Sequence, residues 1–111
     1  MATGIIKAKY PYSTIDFEYK NGASYNSFHA LKVGRTAHLN GRLNFSPTTT
    51  WSEIMTITNA KDRPVYDIRS SFDVIEYYVT AGGSVQVRIS PNFSAISTST
   101  IDLDIEYICA N

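Results

Sequence analysis

The chain of 111 residues contains a single cysteine, Cys109, two residues from its end, so no disulfide can close within it. A catalytic thiol needs a base held beside it, and a position this close to the end offers little to hold one. Cys109 therefore reads as a strand or tail residue. Excess charge of one sign is also lacking. Ten basic residues balance ten acidic ones and no basic run stands out. That argues against nucleic acid as a partner, because phosphate binding calls for clustered Lys and Arg. No apolar stretch approaches the roughly 20 residues of a membrane span, so no membrane insertion is expected. The opening "MATGIIKAKY" is too short and too mixed for a signal peptide. Leucine occurs only four times, and no segment offers a capped amphipathic helix of ordinary length.

What is present is strand material: eight Tyr, five Phe, one Trp and many Thr, Ser, Ile and Val. At 111 residues and 43% apolar, the chain fits one ordered domain. We read residues 1–11 as an N-terminal arm or connection and residues 12–111 as a single domain.

Period-two alternation recurs along the chain. In "STIDFEYKNG", Ile15, Phe17 and Tyr19 oppose Asp16, Glu18 and Lys20, and Asn21-Gly22 supplies a tight turn. "NSFHALKV" and "TAHLNGRL" read as a hairpin about Gly34-Arg35. Ala37, Leu39 and Leu43 face inward there, and Gly41 marks a bulge or a close backbone approach. "WSEIMTIT" sends Trp51, Ile54 or Met55, and Ile57 to the core if a bulge shifts its phase. "NAKDRPVYD" reads as an extended loop, and "SFDVIEYYV" and "SVQVRI" as a hairpin about Gly82-Gly83. In "TIDLDIEYI", Ile101, Leu103, Ile105 and Tyr107 face inward and Asp102, Asp104 and Glu106 outward. The expected fold is all-β: a compact antiparallel β-sandwich or jelly-roll-like barrel of about seven to eight strands.

Catalytic constellations are thin. Asp102, Asp104 and Glu106 share one strand face at a spacing of roughly 7 Å, which fits an acid/base pair or a calcium ion, but any solvated strand face looks the same. No Asp-rich calcium loop accompanies them. His29 and His38 are expected to pair across the hairpin, yet a structural zinc needs four ligands and a catalytic one usually three, and only asparagine and arginine stand nearby. No strand-turn-helix elbow presents a serine, and "AGGS" is a strand turn, not a phosphate cradle. No catalytic residue, metal or cofactor is therefore expected. A small glycan hydrolase would need two carboxyl groups facing one cleft at roughly 5 to 9 Å, whereas most acidic residues fall on outward strand faces.

Recognition remains. Trp51, Tyr25, Tyr66, Tyr77, Tyr78 and Tyr107 exceed what a small core needs, and an aromatic ring beside polar groups suits sugars: the ring packs on C–H faces while the polar groups bond hydroxyls. For each ring a core or subunit-interface place is the alternative. Tyr77 and Tyr78 are adjacent, so one of them faces away from its sheet's core. We take His29, His38, Asn40, Arg42, Trp51, Asp67 and Tyr77 as the candidate saccharide contacts.

The stretch "HALKVGRTAHLNGRL" carries a Lys-x-Gly, Leu-x-Gly hairpin over Lys32 to Gly41. Thr56-Ile57 and then Ala60 to Pro64 follow, with Gly83-Ser84-Val85-Gln86-Val87 and a last strand reaching Tyr107. This series resembles the receptor-binding head domains of tailed-phage fibres and baseplates, of the kind that attach to lactic-acid or other Gram-positive bacteria. The resemblance covers about residues 12 to 108. It implies a non-enzymatic head, assembled as a homotrimer in the virion beside other baseplate or tail proteins and binding a cell-wall saccharide or polyol phosphate. The chain departs from fuller members in having no long shoulder or neck. Trimerisation is also favoured because a small sandwich with many aromatic and β-branched residues can bury surplus apolar surface and protect its edges between subunits. The alternatives are a structural virion or tail-assembly subunit without saccharide binding, and a cellular lectin.

Overall fold

Strands arise where apolar residues alternate with polar ones, and among the described residues nine of them divide between two facing sheets. The computed structural model describes residues 12–110; the expected arm, residues 1–11, and Asn111 lie outside them. The strands are β1 (Ser13–Thr14), β2 (Phe17–Tyr19), β3 (Ser24–Val33), β4 (Thr36–Asn44), β5 (Ser52–Ile57), β6 (Ile68–Phe72), β7 (Ile75–Val79), β8 (Ser84–Ile89) and β9 (Thr100–Ile108). One sheet has the order β1-β3-β4-β9 and the other β2-β5-β8-β7-β6. Every pairing between these strands is antiparallel.

The jelly-roll-like barrel is overturned: among the described residues neither sheet closes, and nine strands stand where about seven to eight were expected. Closure would require β9 to bond β6 along its length. Instead the Tyr77 hydroxyl donates to the Asp102 carbonyl, and the Val65 N–H to the Ile108 carbonyl, on that flank of β9. A tyrosine and a loop thus take acceptors that a barrel would give to a neighbouring strand.

"STIDFEYKNG" is not one strand. Ser13 and Thr14 pair with Lys32 and Leu31 in the first sheet, while Phe17 to Tyr19 pair with Ile57 to Met55 in the second. Ile15, buried at the crossing, donates its N–H to the Ala30 carbonyl at 2.9 Å. The single alternating pattern serves both halves because their inward residues enter one shared core. Asn21 (φ 54°) and Gly22 (φ 83°) then make the expected turn, which carries the chain back to the first sheet.

The strand β6 begins in residues 68–70, to which the sequence assigns no element. Its last two residues, Ser71 and Phe72, are expected to run unbroken into β7; the break at Asp73 corrects that. Ile68–Phe72 pairs with β7 through a tight connection in which Asp73 takes a φ of 59°. A non-glycine residue in that region leaves no obvious turn signature, and Asp is among the few that tolerate it.

Elsewhere the pattern holds. Ala37, Leu39 and Leu43 are fully buried, and so are Ile54, Met55 and Ile57. Both Ile54 and Met55 fit inside because a bulge between Glu53 and Met55 shifts the register of β5, as its sequence requires. Val85, Val87, Ile89, Ile101, Leu103 and Ile105 complete one continuous core from both sheets. Burying each large aliphatic side chain contributes about 1.5–3 kcal/mol before chain entropy is counted. Gly41 has a φ of 125°, and a Cβ there would lie 2.2 Å from the Ser27 carbonyl oxygen. The close approach expected at this glycine is present, beside a bulge in β3 between Tyr25 and Ser27.

Lys32 falls on the inward phase of β3, where a charge would be costly. Its ammonium reaches Asp62 Oδ1 at 2.9 Å and the Lys61 carbonyl at 3.3 Å, so the pair is neutralised in place. Asp62 sits in a short 3-10 turn, Ala60–Asp62, and its carbonyl accepts the Tyr107 hydroxyl at 2.5 Å. These contacts tie the loop before β6 to the end of the first sheet.

Candidate functional site

The seven candidate contacts separate into three places. His29, His38, Asn40 and Arg42 lie on the outer face of the four-stranded sheet. Trp51 and Asp67 belong to the outer side of the other sheet, and Tyr77 points into the core.

On the first face, Gly34 and Arg35 both fall in the hairpin loop and Val33 opposes Thr36. This sets His29 against Asn40 and Leu31 against His38, so the expected His29–His38 pair is not formed. The two histidines are diagonal neighbours on one face, a spacing of roughly 7–8 Å between backbones. Across to β9, three successive pairs form a ladder. His38 Nδ1 lies 3.3 Å from Glu106 Oε2, and Asn40 Nδ2 donates to Asp104 Oδ1 at 3.2 Å. Arg42 grips both oxygens of Asp102, at 2.8 and 3.3 Å. The hydrogen bonds from Arg42 hold the Asp102 carboxyl below the usual aspartate range. Every polar side chain contributed by β4 to this ladder is thus already matched.

The other face is built by the alternation of β7 and β8. With Ile75, Tyr77 and Val79 inward, Glu76 and Tyr78 face out; with Val85, Val87 and Ile89 inward, Gln86 and Arg88 face out. Trp51, half-buried at the entrance to β5, lies beside them. The Arg88 guanidinium sits 4.6 Å from the Trp51 ring centre while its Nε donates to Glu76 Oε1 at 2.7 Å. Arg69, from β6, stacks 4.6 Å over Tyr78 and 6.0 Å from Trp51. The two rings are 6.0 Å apart and tilted by 55°. Contacts of this kind between guanidinium and ring are attractive and hold both flat groups in place. Arg88 has a carboxylate partner; among the described residues Arg69 has none. A shallow depression of about 510 Å³ runs between Trp51, Arg69, Ser71, Glu76 and Arg88.

Asp67 supports this face from its rim. Its carboxylate accepts the Ala81 N–H at 2.8 Å and the Tyr78 hydroxyl at 3.1 Å, fixing the β7–β8 turn and the phenol together. Tyr77 is only 1% exposed and its hydroxyl donates to the Asp102 carbonyl, so it bridges the sheets and is out of a ligand's reach. Burial pushes its phenol up from the ordinary tyrosine range. Its outward neighbour Tyr78 takes the place on the surface. The sequence signal was available: Tyr77 is in phase with Ile75 and Val79. Arg69 and Arg88 carry no comparable signal, because only the strand order β5-β8-β7-β6 brings Arg88 to Trp51 and Arg69 to Tyr78.

Among the described residues no three His, Cys, Asp or Glu side chains gather as metal ligands. Cys109 is buried, and burial raises its thiol pKa. What the second face offers chemically is two tilted rings, two guanidiniums and hydroxyl groups on a rigid sheet. The chain matches no known protein family, no curated protein and no solved structure.

Proposed function

We propose that the protein is a non-enzymatic saccharide-recognition domain, and that it binds through the outer face of the five-stranded sheet. The observation that carries this reading is the Trp51–Tyr78 pair with Arg88 and Arg69 stacked against it. An indole and a phenol at this tilt present C–H-binding surface, while Arg69 has donor capacity to spare for hydroxyl, carboxylate or phosphate oxygens. Tyr78, Arg69 and Arg88 are held on strands and Trp51 directly precedes one, which lowers the ordering cost of binding.

The setting we propose is the host-attachment device of a tailed phage, with a bacterial cell-wall saccharide or polyol phosphate as ligand. It is supported by the resemblance of the hairpin over Lys32 to Gly41 and of the later segments to receptor-binding heads. A shallow site suits weak binding multiplied by avidity. Titrating the protein with cell-wall saccharide fragments, followed by calorimetry or by the Trp51 indole NMR signal, tests the reading. Saturable binding that Trp51→Ala weakens at least about tenfold supports it. Absence of binding by the folded oligomer or monomer to any cell-wall fraction overturns it in favour of a structural virion subunit.

A further inference from the structure

The strand β9 is nine residues long and lies at the edge of its sheet. Long open edges are a hazard that proteins normally cover or blunt. Its geometry shows which groups are open. The Cys109 N–H bonds to the Arg35 carbonyl on the β4 side, whereas the Ile108 carbonyl accepts Val65 N–H on the other. Even-numbered residues of β9 therefore turn their main-chain groups away from β4. The Asp102 carbonyl is taken by the Tyr77 hydroxyl. Between these two anchors, the N–H and carbonyl groups of Asp104 and Glu106 have no partner among the described residues.

The chemistry around this gap is two-sided. Outward stand the carboxylates of Asp104 and Glu106, met only by the Asn40 amide and by His38. Inward, the neighbouring β6 presents the half-buried Ile68 and the 46% exposed Phe72. A matching strand must alternate cations with apolar residues. Pairing β9 with β9 of another copy fails this requirement, because it sets carboxylates beside carboxylates. Residues 5–10, Ile-Ile-Lys-Ala-Lys-Tyr, meet it.

We propose that residues 5–10 of a second copy of this chain add as a strand to the free edge of β9. Lys7 and Lys9 then face Asp104 and Glu106, and Ile6, Ala8 and Tyr10 cover Ile68 and Phe72. The donor must be another copy because of reach. Ser13 opposes Lys32 in β1, at the far edge of the same sheet. A strand beyond β9 lies four spacings from β1, about 19 Å at roughly 4.8 Å each, which takes about six residues of extended chain. Only Pro11 separates Tyr10 from Tyr12. Arm and edge are different surfaces, so the exchange gives a reciprocal two-fold pair, or a ring where the rotation from copy to copy closes. It stands independently of the saccharide reading.

Sedimentation velocity of the full chain over a concentration series tests this. The wild type associates. Lys7→Glu with Lys9→Glu, and separately Asp104→Lys with Glu106→Lys, each weaken association at least about tenfold, since like charges then meet at the edge. An equimolar mixture of the two variants regains it, because each arm now finds an edge of opposite charge. Circular dichroism checks that both variants fold; should the edge variant not fold, the arm variant and a deletion of residues 1–10 decide. A wild type that stays monomeric at its highest soluble concentration overturns the proposal. So does association unaffected by the arm substitutions or by the deletion.

Discussion

The two outer faces of this domain are made by the same rule and end in opposite states. On the four-stranded sheet, β4 and β9 set His38, Asn40 and Arg42 directly against Glu106, Asp104 and Asp102. On the five-stranded sheet, the strands set rings beside guanidiniums, and Arg69 has no carboxylate among the described residues. Matched cross-strand pairs satisfy one another and have little left for a ligand. On the second face the Arg69 guanidinium, stacked on Tyr78, has no carboxylate partner among the described residues and so keeps donors open. The richer list of polar residues thus marks the less available surface.

The largest effect that separates the faces is expected at Gly41, beneath the ladder. Gly41→Val forces a Cβ into the Ser27 carbonyl and costs about 3 kcal/mol or more, read as a drop in thermal or urea stability. The second face is not near this position, so any variant that still folds is expected to keep its saccharide affinity. An unchanged stability contradicts the close approach.

Tyr77 and Tyr107 come next, since they hold the first sheet to what packs beneath it. Both phenols have pKa values raised by burial, and an unfolded tyrosine ionises near 10. The stability is therefore fully present below the unfolded value and is lost as pH rises from there through the raised folded one. Steep alkaline unfolding above about pH 10 is expected. Tyr77→Phe removes the bond to the Asp102 carbonyl at a cost of about 1 kcal/mol, measured by denaturant titration, and takes one ionisation out of the alkaline limb.

Smallest of all is the effect expected at the ladder's own exposed pair. Arg42→Ala is expected to leave saccharide affinity unchanged and to shift the melting temperature little, because exposed ion pairs are screened. Its signature is in the pH profile. Asp102 is held below its ordinary value, so its contribution is present above the usual aspartate range and fades as pH falls through the depressed one. Arg42→Ala flattens that acid limb. A large loss of affinity in the same variant would move the binding site to the ladder face.

Strand patterning made most of the fold legible from residues alone. The inward rows of β4, β8 and β9, the bulge in β5 and the Asn21-Gly22 turn all follow from alternation and turn chemistry. The division of "STIDFEYKNG" between two sheets was not legible, because one alternation satisfies both sheets when they share a core. β6 was obscured by its composition, Ile-Arg-Ser-Ser-Phe, and by an aspartate where a turn glycine would have announced the break. Strand count suggests a closed barrel but does not determine whether the final edges meet.

The candidate site was legible in part. Residue type alone singles out Trp51 as a candidate, and the outward phase of Tyr78 is present in the alternation that buries Tyr77. The histidine pair failed on register: with both Gly34 and Arg35 in the loop, each histidine moves to a new partner. Arg69 and Arg88 depend on which strands become neighbours, β8 between β5 and β7 and β6 beyond, and no local pattern encodes that order.

The most direct test is a residue-resolved NMR titration of the protein with bacterial cell-wall saccharide fragments. Shifts concentrated at the Trp51 indole, Tyr78, Arg69 and Arg88, with His38, Asn40 and Arg42 unmoved, are the predicted result. Shifts centred on the His38–Arg42 ladder, or none at any saccharide concentration, would contradict it.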